Sequence, residues 1–310
     1  MLLGETMHSD ITLVIPVFNE ASAFRANFSN ILSICNDCPA SFSYLLVDDG
    51  STDTTREVLA EMRRDNPAIS YLSFTRNFGK EAAIEAGLKH ALGRACIVMD
   101  SDLQHPPELI PQMLRMWQEG SLIVDAVKRS RGDSWLRSLF SNTFYALLRK
   151  TAGIDLKGRS DFKLLDRKVV EFYLKLRERH KFFRGVIAWS GFPSREIPFD
   201  VKPRSGGDSK WSSLKLMRYA FVNIASFTYV PMMALGWMGL LTASMSLVVG
   251  VISLIRWTLG DALPGFTTVI LLLTFLGGVL LLGIGVVAYY VSLLMDEARD
   301  RPRYVVEVYE

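Results

Sequence analysis

Two long stretches without a single charged residue, Pro231 to Ile255 and Gly265 to Met295, constrain this 310-residue chain more than anything else in it. As helices they would run about 37 and about 46 Å, each enough to cross a hydrocarbon core of about 30 Å. A buried soluble hairpin of that length and composition is improbable, so two membrane helices are expected, over 231–257 and 265–295. Lys210, Lys215 and Arg218 precede the pair and Arg299, Arg301 and Arg303 follow it, whereas Arg256 alone falls in the expected loop Arg256–Pro264. The positive-inside bias puts both ends in the cytoplasm and the loop outside. Met1 to Asp10 has no basic segment leading into an apolar run, so no secretory signal is expected and residues 1–210 stay cytoplasmic.

Those residues read as an α/β domain. Ile11–Ile15, Tyr44–Val47, Ile69–Phe74 and Ala95–Met99 are short apolar runs with strand character. Between them lie helical stretches, about Ala21 to Ser33, a second to about Arg64 with Ser51 and Thr52 as candidate N-caps, and Lys80 to Leu92. Strands separated by helices of this length imply βαβ units and a mostly parallel sheet. Ligands in such sheets bind outside the carboxyl ends of the strands. Asp48 and Asp49 end one strand, and Asp100 and Asp102 follow another.

Asp100-Ser101-Asp102, with Gln104 two residues on, puts three oxygen-bearing side chains on one loop. Mg²⁺ and Mn²⁺ prefer oxygen ligands and commonly use one or two carboxylates plus substrate phosphates. The same pattern also suits a helix N-cap ahead of Pro106-Pro107, and the residues alone leave the two readings open. Cys35-Asn36-Asp37-Cys38 lacks the further ligands of a zinc site and reads as two thiols near a helix end. A net charge of +3 with no Lys/Arg run gives no reason to expect nucleic acid as a partner. Trp135 to Arg149 and Trp211 to Val230 are basic amphipathic stretches, and the second, directly before an apolar span, suits the membrane interface. Arg303 to Tyr309 has strand character and suits a sheet edge in its own or a neighbouring subunit.

Four segments in order, Val14 to Glu20, Val47 to Asp53, Arg76 to Glu81 and Asp100 to Pro107, resemble family 2 glycosyltransferases of the GT-A fold. Ser160 to Arg167 and Arg204 to Trp211 extend the likeness to polyprenyl-phosphate glycosyltransferases related to dolichol-phosphate mannose synthase, especially bactoprenol-phosphate glucosyltransferases. The resemblance implies a GT-A Rossmann-like sheet with flanking helices, then amphipathic interfacial helices and a two-helix transmembrane hairpin. It implies inverting transfer of a hexose, with UDP-glucose the first guess as donor, to polyprenyl (undecaprenyl) phosphate. Pro16, Val17, Asn19, Glu20, Asp48, Asp49 and Asp100 would hold the nucleotide-sugar, and Asp100, Asp102 and Gln104 would hold Mg²⁺ or Mn²⁺. Arg129, Arg137, Ser141 and Lys210 would receive the acceptor phosphate, and Asp102 and Asp161 would be catalytic. Ser160 and Lys163 stand where the family has Gly and Arg. The domains implied are 1–210 catalytic, 211–230 interfacial, 231–295 transmembrane and 296–310 a cytoplasmic tail, in a multi-pass protein of the bacterial inner membrane forming a homo-oligomer such as a tetramer. Two rivals are a processive polysaccharide synthase and an inactive scaffold. The first needs Gln-x-x-Arg-Trp, but Ser253 precedes Arg256-Trp257 here; the second is disfavoured because the carboxylates are intact.

Overall fold

The computed structural model describes residues 9–129, 149–150, 156, 158–178, 181–200, 230–259 and 265–310. The chain divides into two compact units, one of Met1–Trp211 with Pro302–Glu310 and one of Ser212–Arg301.

In the first unit, β1 (Ile11–Val17), β2 (Phe42–Asp48), β3 (Ile69–Phe74) and β4 (Ala95–Val98) alternate with α1 (Phe24–Asn36), α2 (Thr55–Asp65) and α3 (Lys80–His90). A short 3₁₀ turn leads into α4 (Ile110–Gln118), followed by β5 (Ile123–Lys128), β6 (Arg159–Asp166), α5 (Arg167–Lys175), α6 (Phe183–Trp189) and β7 (Ser194–Phe199). The chain later returns as β8 (Val306–Tyr309). The sheet runs β7-β5-β6-β4-β1-β2-β3-β8. Strands β1 to β4 pair in parallel, as do β5 and β7, while β6 is antiparallel to both neighbours and β8 is antiparallel to β3. The sheet is therefore mostly parallel.

The apolar run of β1 is buried along its whole length because helices cover both faces of the sheet. On α1, Phe24, Phe28, Ile31 and Cys35 recur at helical spacing and enter the core. α3 lies so close to the sheet that a Cβ on Gly87 would sit 2.2 Å from Val14 Cγ1. Ser51 and Thr52 do not cap α2, which begins at Thr55 after Thr54. They turn back to Asn19 instead, as described below. Cys35 and Cys38 are free thiols at the end of α1, and burial pushes Cys35 up to about 12 against the opposing hydrogen bond with Tyr44.

Gly50 is where backbone geometry leaves no choice of residue. Its φ is +66°, and a Cβ there would lie 2.2 Å from the Arg76 carbonyl carbon and 2.6 Å from the Asn77 nitrogen. Backbone cannot yield as a side-chain tip would. Gly50→Ala is expected to cost about 2–4 kcal/mol, and a thermal melt of the purified protein measures it; an unchanged Tm would mean that the two loops separate freely.

The second unit contains α7 (Val230–Thr258) and α8 (Phe266–Ala298). Within them Met232–Ile252 and Phe275–Ala298 are long and apolar enough to cross a membrane. Large apolar side chains such as Leu247 and Leu281 point outward, 70% and 71% exposed, which suits an apolar surrounding rather than water. Arg256 lies in the last turn of α7 and not in the connecting loop, because the helix continues three residues past Ile255.

Candidate active site

The carboxyl ends of β1, β2 and β4 meet on one side of the sheet. Pro16 and Val17 pair with Val47 and Asp48, and the Asp49 amide donates to the Val17 carbonyl (2.9 Å). Asn19 takes a left-handed backbone, φ 54°, and knits the two loops together. Its amide donates to Ser51 Oγ (2.9 Å) and its side-chain oxygen accepts from the Thr52 amide (2.9 Å). The Glu20 amide donates to Thr55 Oγ1 (3.0 Å). Asp48 Oδ1 accepts from the Ser51 amide (2.9 Å), while its buried Oδ2 accepts no hydrogen bond among the described residues and faces Arg56 Nε at 3.9 Å. Both oxygens of Asp49 are engaged by backbone, accepting from Phe78 (2.7 Å) and Gly79 (3.0 Å). Burial pushes Asp49 up to about 6, while those two amides favour its charged form. Asp49 therefore fastens the Arg76–Lys80 loop to the end of β2.

The loop after β4 is positioned from α1: buried Asn27 donates to the Ser101 carbonyl (3.1 Å). Leu103 adopts φ 53°, and the Gln104 amide donates to Asp102 Oδ1 (3.1 Å). His105 is buried, stacked on Phe162 with Phe199 at its edge, and its Nδ1 lies 3.7 Å from Asp100 Oδ2. Burial lowers His105, with Asp100 pulling the other way.

A cluster of charges completes the site. Lys80, the first residue of α3, places Nζ 2.5 Å from Asp100 Oδ1 and 2.6 Å from Asp161 Oδ2. Arg184 on α6 grips Asp161 with both arms, Nε to Oδ1 at 2.5 Å and one terminal nitrogen to Oδ2 at 2.9 Å. Burial would raise Asp161, but Lys80 and Arg184 outweigh it and hold the carboxyl well below its ordinary range. Asp100 is lowered likewise, burial being overcome by Lys80 and His105. Lys128 at the end of β5 feels the same cluster: burial and Arg184 lower it, while Asp100 and Asp161 oppose that.

The family model for glycosyl transferase family 2 matches residues 12–173, from the start of β1 through most of α5. The chain belongs to that family. It is a glycosyltransferase whose fold is a mostly parallel mixed sheet flanked by helices. The chain is 35% identical over 303 residues to an uncharacterized glycosyltransferase of Synechocystis, covering 97% of this chain and 95% of that one. It is 35% identical over 300 residues to the SfII prophage-derived bactoprenol glucosyl transferase of Shigella flexneri, covering 96% and 97%. Among solved structures, it is similar to a mannosyltransferase of Pyrobaculum calidifontis in complex with GDP-Man and Mn²⁺, at 16% identity and a TM-score of 0.44, covering 90% and 88%.

In this glycosyltransferase the residues singled out from sequence, where described, form two groups with Arg129 outside both. Pro16, Val17, Asn19, Glu20, Asp48 and Asp49 share the β1–β2 end; Asp100, Asp102, Gln104 and Asp161 share the region around β4 and β6. Arg129 stands apart from the charge cluster, 62% exposed, 3.8 Å from Asp200. Arg137, Ser141 and Lys210 lie outside the described residues, as do 211–229 and most of Trp135–Arg149. Sequence reasoning assigned no part to Lys80, Arg184, His105 or Lys128. Lys80 and His105 lay inside the quoted motifs, but Arg184 carried no local signal. The Ser160 and Lys163 departures are absorbed by the sheet. Ser160 is extended in β6 and donates to the Ala126 carbonyl (2.6 Å), so no glycine-like backbone is needed. Lys163 is fully buried against Asp125 on β5, which Arg159 also grips at 2.5 Å.

Among the described residues no three His, Cys, Asp or Glu side chains gather as a metal site. Asp100 and Asp102 are hard oxygen donors on one loop, which fits Mg²⁺ or Mn²⁺ provided that phosphate oxygens complete the shell. A positive charge, the Lys80 ammonium, already lies against Asp100.

Proposed function

We propose that this glycosyltransferase moves a hexose from a nucleotide-sugar, UDP-glucose first among the candidates, to polyprenyl phosphate with inversion at the anomeric carbon. The observation that carries the proposal is the Lys80–Asp100–Asp161–Arg184 cluster at the carboxyl ends of the strands. Two cations fixed on ionised carboxylates provide preorganised positive charge for phosphate oxygens. The acceptor is suggested by the bactoprenol glucosyl transferase relative and by two helices apolar enough to cross a membrane.

A lipid phosphate is already ionised at neutral pH, so its oxygen needs no base to attack C1. The bond from C1 to the diphosphate oxygen breaks, and its electron pair leaves with the nucleotide. Asp161 suits such a step as a positioning group: its low basicity and occupied oxygens make it a poor proton acceptor and a firm anchor for Lys80 and Arg184. Pro16, Val17, Asn19, Glu20, Asp48 and Asp49 would shape the pocket for base and ribose. Asp100, Asp102 and Gln104 would hold Mg²⁺ or Mn²⁺, which supplies charge neutralisation for the departing diphosphate. Arg129, Arg137, Ser141 and Lys210 would receive the lipid phosphate. The site would face the cytoplasm at the bacterial inner membrane, with 211–230 at headgroup depth.

Membranes containing the protein, supplied with polyprenyl phosphate and a panel of radiolabelled nucleotide-sugars, test this directly. Label is expected in the lipid from UDP-glucose, ahead of UDP-galactose, a nucleotide-linked modified arabinose and GDP-mannose. Label entering lipid from none of them would overturn the proposal, and label from another sugar alone would replace the donor.

A further inference from the structure

We infer that two charged residues of the tail after the second apolar helix, Arg303 and Glu307, are positioning residues for the Asp161 and Asp48 ends of the active site respectively. The chain leaves Ser212–Arg301 and rejoins the first unit at Pro302. Its strand β8 closes the sheet edge on β3, with the Thr75 amide donating to the Val305 carbonyl (3.1 Å) and Tyr304 stacked on Phe74 at 4.9 Å. Those contacts suffice to hold an edge strand. Two charged side chains of the tail do something else.

Arg303 reaches Glu85 on α3 at 2.5 Å and donates to the Lys181 carbonyl (3.1 Å). Lys181, only 3% exposed, donates to the other oxygen of Glu85 (2.8 Å). Two residues further on, the Phe183 amide donates to Glu81 (2.9 Å), one turn before Glu85 on the same helix. The next residue is Arg184, whose fork holds Asp161. The segment 181–184 is thus pinned to α3 at Glu81 and Glu85, and α3 itself begins with Lys80 in the charge cluster. Arg303 shares Glu85 with Lys181 and ties the Lys181 backbone carbonyl, so it fixes the approach of Arg184 to Asp161.

Four residues along the tail, Glu307 pairs with Arg56 on α2 at 2.9 Å. Arg56 Nε faces, at 3.9 Å, the oxygen of Asp48 that accepts no hydrogen bond among the described residues. Glu307 therefore aims a cation at a carboxylate of the β1–β2 end.

The inference rests on the proposed roles of Asp48 and Asp161, and its two arms give different signatures. In full-length protein in lipid nanodiscs, Arg303→Met is expected to lower kcat about tenfold, with the Kd for UDP within about twofold of wild type. Glu307→Gln is expected to raise the donor KM and the UDP Kd about fivefold while kcat is kept. Tyr309→Ala, which disturbs the same strand away from the site, should alter the melting temperature and leave both constants unchanged. Hydrogen exchange at 183–184 should quicken in Arg303→Met, a readout independent of any sugar. The inference is overturned if exchange there is unchanged, or if Arg303→Met and Glu307→Gln shift kcat and KM together, as Tyr309→Ala would if it acted on the site. Wild-type protein that transfers no sugar would instead defeat the proposed function, and hydrogen exchange would still decide whether the tail orders the Arg184 segment.

Discussion

Asp161→Asn is expected to lower kcat by about 10²–10³ in a protein that still folds. The size follows from what the carboxylate does. It is almost wholly buried and binds Lys80 and Arg184 at once, so removing its charge takes an ion-pair partner from both cations. Asparagine keeps the volume and one accepting oxygen but presents an amide N–H₂ to one of the cations. Asp161 is buried but Lys80 and Arg184 are 41% and 32% exposed, so the cost falls below the about 3–5 kcal/mol of breaking a fully buried pair, and Tm is expected to fall by a correspondingly smaller amount. The two effects are separated by UDP binding: a folded variant should still bind UDP through the β1–β2 end, weakened only by the diphosphate's share, because Asp161 bonds Lys80 and Arg184. If kcat survives in a variant whose UDP binding is intact, Asp161 has no part in the chemistry.

The sequence exposed the parallel half of the sheet because β1 to β4 are apolar runs with helices between them. The other half was hidden for a physical reason. Strand β6 carries Arg159, Ser160, Asp161, Lys163 and Asp166, and β5 carries Asp125, so neither shows clean alternation. Their polar groups are buried in pairs across the sheet, Lys163 and Arg159 on Asp125 and Ser160 on the Ala126 carbonyl, and such pairing is invisible in one dimension. The acidic ends of β2 and β4 were legible from position alone. Their partners were not: Lys80 and Asp161 are 81 residues apart, and Arg184 sits in a segment with no motif. Ser51 and Thr52 had the composition of helix caps, but Asn19 competes for them across 32 and 33 residues. The strand character of the tail was readable, whereas its charges acquire meaning only once α2 and α3 are placed beside it.

Asp102→Asn should abolish transfer, to below about 1% of wild type, with the fold unchanged. Asp100 balances Lys80 at 2.5 Å and faces buried His105, so neutralising it disturbs two neighbours before any metal is considered. Asp102 closes its own turn by accepting from the Gln104 amide at 3.1 Å, a bond that the oxygen of Asn can still accept. What changes is the charge, and with it one of the two hard anionic ligands proposed for the metal. Mn²⁺ binding measured by electron paramagnetic resonance in the presence of UDP should weaken by tenfold or more, on the order expected when a carboxylate ligand is removed. Chelation with EDTA should reproduce the loss in the wild type, and added Mg²⁺ or Mn²⁺ should restore it there and not in the variant. Wild-type transfer in EDTA would place the whole burden of the leaving diphosphate on Lys80 and Arg184, and full activity in Asp102→Asn would remove this loop from the metal's ligands.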